Sequence, residues 1–74
     1  MLVINRQGTA EILKRYREKN GLTYTDVAYF IDTAPNTVKH WETEYRIPST
    51  QLLLRVADMY GVSIYELLDV TDAQ

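Results

Sequence analysis

The sequence predicts an all-α fold of five short helices around a single core. Apolar residues recur three and four positions apart in successive stretches, which is the spacing of one face of an α-helix. Residues that begin or end helices, such as threonine, serine, glycine and proline, separate these stretches. The chain has 74 residues, of which 46% are hydrophobic, so one compact helical core can be buried. We identify no internal repeat and no alternation typical of strands.

Helix 1 is predicted from about residue 9 to residue 19. Ile12, Leu13 and Tyr16 share one face of this helix, which predicts that they point inward. Asn20-Gly21 follows and is a typical end signal, because glycine accepts the left-handed backbone found just after a helix.

Helix 2 is predicted over residues 24–31. Thr23 and Asp26 have the spacing of a capping box, with aspartate in place of the usual glutamate. The residues predicted to form its buried face are Val27, Ala28, Phe30 and Ile31.

Helix 3 is predicted over residues 35–43, after a turn at Asp32-Thr33-Ala34. Pro35 suits the first turn because it lacks an N–H and has a preset φ. Val38 and Trp41 give the helix one buried stripe. The polar residues left on its outer face are Asn36, Lys39, His40 and Thr43. Two helices joined by a tight turn form a helix-turn-helix unit, whose usual use is to place the second helix in the major groove of DNA.

Helix 4 is predicted over residues 50–60, with Ser49 or Thr50 as its cap and Gly61 at its end. Helix 5 begins at Ser63-Ile64-Tyr65-Glu66, which has the pattern of a capping box. Its apolar residues are Ile64, Leu67 and Leu68.

The chain is predicted to be one domain over residues 1–74, with a short arm at residues 1–8 and a tail at residues 70–74. Leu2-Val3-Ile4 could form a β-like arm or a loose terminus, and we favour the loose terminus because chain ends are often poorly ordered.

The formal net charge is −2, but it is unevenly distributed. Residues 1–48 carry a net charge of +1 and residues 49–74 carry −3, so the acidity lies away from helices 2 and 3 and permits DNA binding. The absence of cysteine excludes disulfides and thiolate metal sites. No apolar run approaches the roughly 18 residues of a membrane span, and Met1–Ile4 is too short for a signal peptide. We therefore expect a cytoplasmic protein.

The sequence lacks the parts of a catalytic site. There is no glycine-rich phosphate loop and no cysteine nucleophile, and Ser49 and Ser63 are better explained as helix caps. His40 is the only histidine and has no cysteine partner for a metal. We predict no enzymatic activity, no metal and no cofactor.

An ordered set of residues covers most of the chain. It includes Leu13-Lys14-Arg15-Tyr16-Arg17-Glu18, Gly21-Leu22-Thr23, Val27-Ala28, Val38, Trp41-Glu42, Pro48-Ser49, Leu53, Ala57 and residues 61–68. In this order and spacing the chain resembles the phage Cro/C1 repressor class, the XRE-type helix-turn-helix family. The resemblance implies a lambda-repressor-like five-helix domain of a bacterial or phage transcriptional regulator. It also implies an ion pair between Arg17, at the end of helix 1, and Glu42, near the end of helix 3.

Four positions depart from the pattern of this family. Tyr24 replaces its usual glutamine at the start of helix 2, and Asp32 replaces its usual turn glycine. Pro35 takes the first exposed position of helix 3 without offering a hydrogen-bonding side chain. Thr43-Glu44 replaces the common Asn-Gly, which puts a negative charge where DNA phosphate would approach.

We predict that the outer face of helix 3 and its flanks contact double-stranded DNA. Asn36 is the best candidate for base reading, because its carboxamide can bond an adenine edge in a bidentate manner. Lys39 could reach a guanine edge or a phosphate, and His40 could donate or accept at a base. Further contacts, chiefly to the sugar-phosphate backbone, are predicted at Tyr24, Thr25, Pro35, Thr37, Tyr45 and Arg46.

Useful specificity would need two copies of helix 3, which predicts a homodimer on a roughly palindromic operator, acting as a repressor. The predicted dimer surface is helix 5 with its flanks, namely Val62, Ile64, Tyr65, Leu68 and Val70.

The alternative function is a protein-interaction module, such as an anti-repressor or another regulatory partner with little affinity for DNA. Pro35, Glu44 and the acidic C-terminal part of the chain favour it. An aromatic patch around Tyr24, Tyr29 and Tyr45 would support a protein partner.

Overall fold

The computed structural model describes residues 1–72 and contains five helices and a small sheet. In chain order the elements are β1 (Leu2–Ile4), α1 (Arg6–Lys19), α2 (Tyr24–Ile31), α3 (Pro35–Thr43), α4 (Thr50–Tyr60), α5 (Ile64–Leu67) and β2 (Val70–Asp72). The predicted five-helix class is confirmed. The predicted bounds of α2, α3 and α4 agree with the structure, because each is set by a local signal such as the Thr23 cap or Pro35.

The two ends of the described chain form an antiparallel pair of strands. Leu2 pairs with Asp72, Val3 with Thr71 and Ile4 with Val70. The preference for a loose terminus over a β-like arm was therefore wrong. Three-residue strands are too short to show alternation, and their partners lie about 70 positions apart, beyond the reach of a local pattern. Residues 73 and 74 of the predicted tail lie outside the described residues.

Helix α1 begins at Arg6 rather than near residue 9, so the predicted arm is shorter than residues 1–8. The Asn5 side chain caps the helix by accepting a hydrogen bond from the Gly8 N–H, at 3.1 Å. Gly8 lies inside the first turn of α1. An added Cβ there would approach the Cβ of Asp69 to 2.9 Å, so glycine allows the segment before β2 to pack closely against α1.

A polar contact also holds this junction. The buried Thr9 accepts a hydrogen bond at Oγ1 from the Asp69 N–H, at 3.0 Å. The Asn5 N–H donates to the Asp69 carbonyl at 2.7 Å. These bonds tie the start of α1 to the chain that leaves α5.

The core lies between α1, α2, α3 and α4 and is closed by α5. The buried hydrophobic residues that pack together in it are Leu13, Val27, Ala28, Ile31, Val38, Trp41, Leu53, Val56, Ala57 and Leu67. Phe30 was predicted to point inward, but it is 64% exposed. Each residue of a helix turns by about 100°, so Val27, Ala28 and Ile31 fill the buried arc and Phe30 falls outside it.

Within the described residues, no helix is long and apolar enough to cross a membrane.

Candidate nucleic-acid interface

The turn between α2 and α3 depends on a left-handed residue. Asp32 ends α2 with φ 59° and ψ 59°, and its N–H donates to the Ala28 carbonyl. The Thr33 N–H donates to the same carbonyl at 2.9 Å. Pro35 then begins α3 at its first turn, where a missing N–H costs nothing. The chain therefore reverses sharply and packs α3 against α2.

Replacing Asp32 with glycine is expected to raise the free energy of unfolding by about 0.5–1 kcal/mol. Glycine adopts φ > 0 without steric cost, and the change also removes a negative charge from the negative end of the α2 dipole. Urea unfolding of Asp32→Gly measures the sum of both effects. Asp32→Asn is the matched control, since it removes only the charge and should change stability by a few tenths of a kcal/mol. A loss of stability in Asp32→Gly would contradict this account of the turn.

Helix α3 separates its side chains into a buried stripe and an outer face. Val38 and Trp41 are buried, as their spacing predicted. The structure leaves Pro35, Asn36 and Lys39 exposed, and half buries Thr37 and His40. The helix thus presents a short polar surface from its N-terminal end to its C-terminal end.

The start of α2 is closed by a complete capping box. Thr23 Oγ1 accepts from the Asp26 N–H at 3.1 Å, and Asp26 Oδ2 accepts from the Thr23 N–H at 2.8 Å. The bond from the Thr23 backbone lowers the pKa of Asp26 below its usual value. Thr25 is exposed here, whereas Tyr24 is half-buried.

Arg17 and Glu42 join α1 to α3 through two parallel hydrogen bonds. Arg17 Nε donates to Glu42 Oε2 at 2.8 Å, and Nη2 donates to Oε1 at 2.9 Å. The remaining guanidinium nitrogen, Nη1, donates to the Leu22 carbonyl at 2.9 Å. The Tyr24 ring lies against the same guanidinium, 4.5 Å from its central carbon. The hydrogen bond to Glu42 raises the pKa of Arg17 above its usual value.

This arrangement gives Tyr24 a packing role that sequence reasoning missed. Its ring lies against the Arg17 guanidinium, an arrangement that favours the cation. The sequence places Tyr24 at the start of α2, one residue after the Thr23 cap. Only the structure shows that its ring contacts Arg17.

Tyr60 packs beside the same ion pair and stacks on Tyr16, with ring centroids 5.2 Å apart. Burial raises the pKa of Tyr60 to about 12. The unfolded chain ionises near the usual value of about 10, so the protonated phenol stabilises the fold below that pH.

We therefore expect the free energy of unfolding to fall as the pH rises from about 10 towards about 12, because the unfolded state loses the proton first. Urea titrations at several pH values measure the slope. Tyr60→Phe has no ionisable group at this position, so its slope should be shallower than that of the wild type. Equal slopes would show that Tyr60 does not carry this effect.

The loop after α3 turns back on the helix and gathers three polar side chains. Tyr45 has a left-handed backbone with φ 57°. The Glu44 N–H donates to the His40 carbonyl at 3.0 Å. The carboxylate of Glu44 lies 3.1 Å from Arg46 Nη2 and 3.3 Å from His40 Nε2. Sequence reasoning did not predict that Glu44 contacts both His40 and Arg46.

The residues predicted for a dimer surface differ in their surroundings. Val62, Ile64 and Leu68 pack at the margin of the core and are partly buried. Tyr65 on α5 is 74% exposed, and Val70 pairs with Ile4 in the sheet. Tyr65 is thus the member of this set that offers the most surface to a partner.

Residues 1–72 contain no group of three or more His, Cys, Asp or Glu side chains that could hold a metal ion. The polar residues at the start of α2 and on the outer face of α3 are donors and acceptors that lie exposed or half-buried at the surface. Such a face suits contacts to a large polar partner better than enclosure of a small molecule.

Comparison with known proteins agrees with this geometry. A family model described as helix-turn-helix matches residues 13–67. The chain is 36% identical over 56 residues to the HTH-type transcriptional regulator ImmR of Bacillus subtilis (strain 168). That match covers 76% of this chain and 44% of ImmR, so the chain spans less than half of that regulator.

Solved structures share the fold. The restriction-modification controller protein C.AhdI from Aeromonas hydrophila matches with a TM-score of 0.76 and 21% identity, over 84% of this chain and 94% of C.AhdI. The clp gene regulator ClgR from Corynebacterium glutamicum matches with a TM-score of 0.74 and 22% identity, over 84% of this chain and 66% of ClgR.

An enzyme also contains a similar domain. Hydroxypropylphosphonic acid epoxidase from S. wedmorenis matches with a TM-score of 0.72 and 34% identity, over 85% of this chain but only 34% of the epoxidase. The shared part is thus one portion of a larger enzyme, just as it is one portion of ImmR. Because the family model extends from α1 to α5, the chain belongs to the helix-turn-helix family of the XRE, or Cro/C1, type.

Proposed function

We propose that this protein is a sequence-specific DNA-binding transcriptional regulator that places α3 in the major groove. The observation that carries the proposal is the exposed polar face of α3, whose opposite side is anchored to the rest of the domain. The Arg17–Glu42 bridge and the buried Trp41 prevent α3 from rotating about its axis. A fixed recognition helix can direct several side chains at base edges at once.

In this proposal Asn36 and Lys39 read bases, because both are exposed in the first two turns of α3. Thr25, Thr37 and Arg46 contact phosphates on either side, which fixes the position of the protein on the duplex. Tyr45 lies beside Arg46 and is also exposed, so its ring can pack on the backbone. Tyr24 acts through Arg17, since its ring lies on the guanidinium.

Selection from a random pool of duplex DNA tests the proposal. The wild type is expected to enrich a defined sequence. Asn36→Ala should relax the preference at one base pair and weaken the free energy of binding to the selected site by about 1–3 kcal/mol. Arg46→Ala is the control, because loss of a phosphate contact should weaken all sequences alike. If the wild type enriched no sequence, DNA reading by α3 would be rejected.

We further propose that two copies bind a palindromic operator through α5, with Tyr65 at the contact. Sedimentation with operator DNA is expected to show two chains per site, and Tyr65→Ala should weaken that assembly. Tyr29→Ala is the matched control, because Tyr29 is also a largely exposed tyrosine, at 83% against 74% for Tyr65, but lies on α2. A single chain per operator would refute the dimer while leaving the reading of bases in place.

One observation favours a protein partner as the second candidate function. Tyr29 and Phe30 are both exposed on α2, with their rings in an edge contact at 5.9 Å between centroids. Exposed aromatic pairs are more common at interfaces than elsewhere on protein surfaces. Two results together would support this function instead: the wild type enriches no DNA sequence, and it captures a protein partner that Tyr29→Ala does not capture.

A further inference from the structure

Both carboxylate oxygens of Glu44 lie close to a side-chain nitrogen at the C-terminal end of α3. Oε1 lies 3.1 Å from Arg46 Nη2, and Oε2 lies 3.3 Å from His40 Nε2. The left-handed backbone of Tyr45 turns the chain so that Arg46 returns beside the last turn of the helix. Two side-chain nitrogens, one from α3 and one from the following loop, therefore converge on one anionic group.

Stability of the fold does not explain this cluster. A carboxylate at the C-terminal end of a helix is disfavoured by the helix dipole. All three side chains are substantially exposed, and ion pairs between exposed groups contribute little to folding. The feature that remains to be explained is the convergence of His40 and Arg46 on one anion, at the edge of the surface formed by α3.

We propose that His40 and Arg46 form a binding site for a single DNA phosphodiester, and that Glu44 occupies this site in the free protein. The inference rests on the DNA-binding function proposed above. A phosphodiester offers two non-bridging oxygens, as a carboxylate offers two, so each donor can exchange one oxygen for another. The role of His40 is then to contact the sugar-phosphate backbone of the DNA, which differs from the base contact predicted from the sequence.

Binding at this site is an exchange of anions. The side chain of Glu44 must rotate away before a phosphate can meet His40 and Arg46, and its charge then repels that phosphate. The exposed ion pairs are weak enough to be replaced without disturbing the core. Glu44 therefore lowers the affinity of the protein for every duplex, whatever its sequence.

Binding of Glu44→Gln to the selected operator and to an unrelated duplex of equal length, over a range of salt concentrations, tests this proposal. We expect about three- to tenfold tighter binding to both duplexes, and a slope of log affinity against log salt that is steeper by about 0.9. Glu11→Gln is the matched control, because it makes the same charge change at an exposed position of α1 and should alter affinity by less than about twofold. The thermal midpoint of Glu44→Gln should equal or slightly exceed that of the wild type, which excludes misfolding.

A double-mutant cycle separates competition from simple repulsion. In the Arg46→Ala background the gain from Glu44→Gln should shrink to less than about twofold, because the site has lost a donor. His40→Ala should weaken both duplexes by the same factor. Persistence of the full gain without Arg46, or loss of preference at a single base pair in His40→Ala, would overturn the site while leaving the DNA-binding function intact. Failure of every form to bind DNA would overturn the function and the site together.

Discussion

Glu42→Ala is expected to lower the free energy of unfolding by about 3–5 kcal/mol. The side chain of Glu42 is only 3% exposed and that of Arg17 only 14%, so the change strands a largely buried guanidinium without its anion. Two of the three hydrogen bonds of that guanidinium would be lost. A domain of this size has a total stability of about 5–15 kcal/mol, so a visible fraction of the variant would unfold on modest heating.

Urea unfolding followed by circular dichroism measures this loss. Glu44→Ala is the control, because Glu44 lies two residues further along and is largely exposed, so its removal should change stability by less than about 0.5 kcal/mol. The paired change Arg17→Met with Glu42→Leu should restore much of the loss, since it removes both charges together. A Glu42→Ala protein as stable as the wild type would show that the bridge does not hold α3 in place.

Leu67→Ala is expected to lower the free energy of unfolding by about 2–5 kcal/mol, which is the range for removing a large side chain from a closed core. Leu67 is 0% exposed and belongs to the core cluster. Helix α5 has only four residues, Ile64–Leu67, so it has few other contacts to hold it in place. Its release would also strain the bond from Asp69 to Thr9 and thereby weaken the pairing of β1 with β2.

Thermal unfolding of Leu67→Ala gives the size of this effect, and hydrogen exchange of the β2 amides shows whether the sheet opens with α5. Tyr65→Ala is the matched control on the same helix, where 74% exposure predicts little change in monomer stability. The two variants separate folding from assembly: Leu67 acts within one chain, whereas Tyr65 is proposed to act between two. Equal losses in both variants would contradict that division.

Both predictions concern the support of α3 rather than the residues that would touch DNA. In the proposed mode of recognition, Asn36 and Lys39 keep one direction relative to the duplex, and the Arg17–Glu42 ion pair and the buried Trp41 would set that direction. Weakening the support should therefore reduce affinity for all sequences, while changes on the outer face should alter the preference among sequences.

Local signals in the sequence predicted much of this fold. Thr23, Pro35 and Gly61 each act within one turn of their own position, so α2, α3 and α4 begin and end where those residues indicate. Periodicity was less reliable at single positions. Phe30 has the character of a core residue but lies at the side of α2, because three smaller residues already fill the buried arc.

The sheet and the anion cluster could not be predicted in this way. Val3 and Thr71 pair because α1 and α5 bring the two ends of the described chain together, which no window of neighbouring residues contains. The contact of Glu44 with His40 and Arg46 depends on the left-handed backbone of Tyr45, a conformation that tyrosine seldom adopts and does not signal.

The sequence by itself determined the number and order of the helices, the turn between α2 and α3, and the polar character of the surface that α3 presents. Those properties follow from backbone preferences and apolar spacing, which act over a few residues. Only the tertiary structure decided that the terminal strands pair, that Tyr24 covers Arg17, and that Glu44 occupies the space between His40 and Arg46. These contacts depend on directions of side chains that are set when separate elements pack against one another.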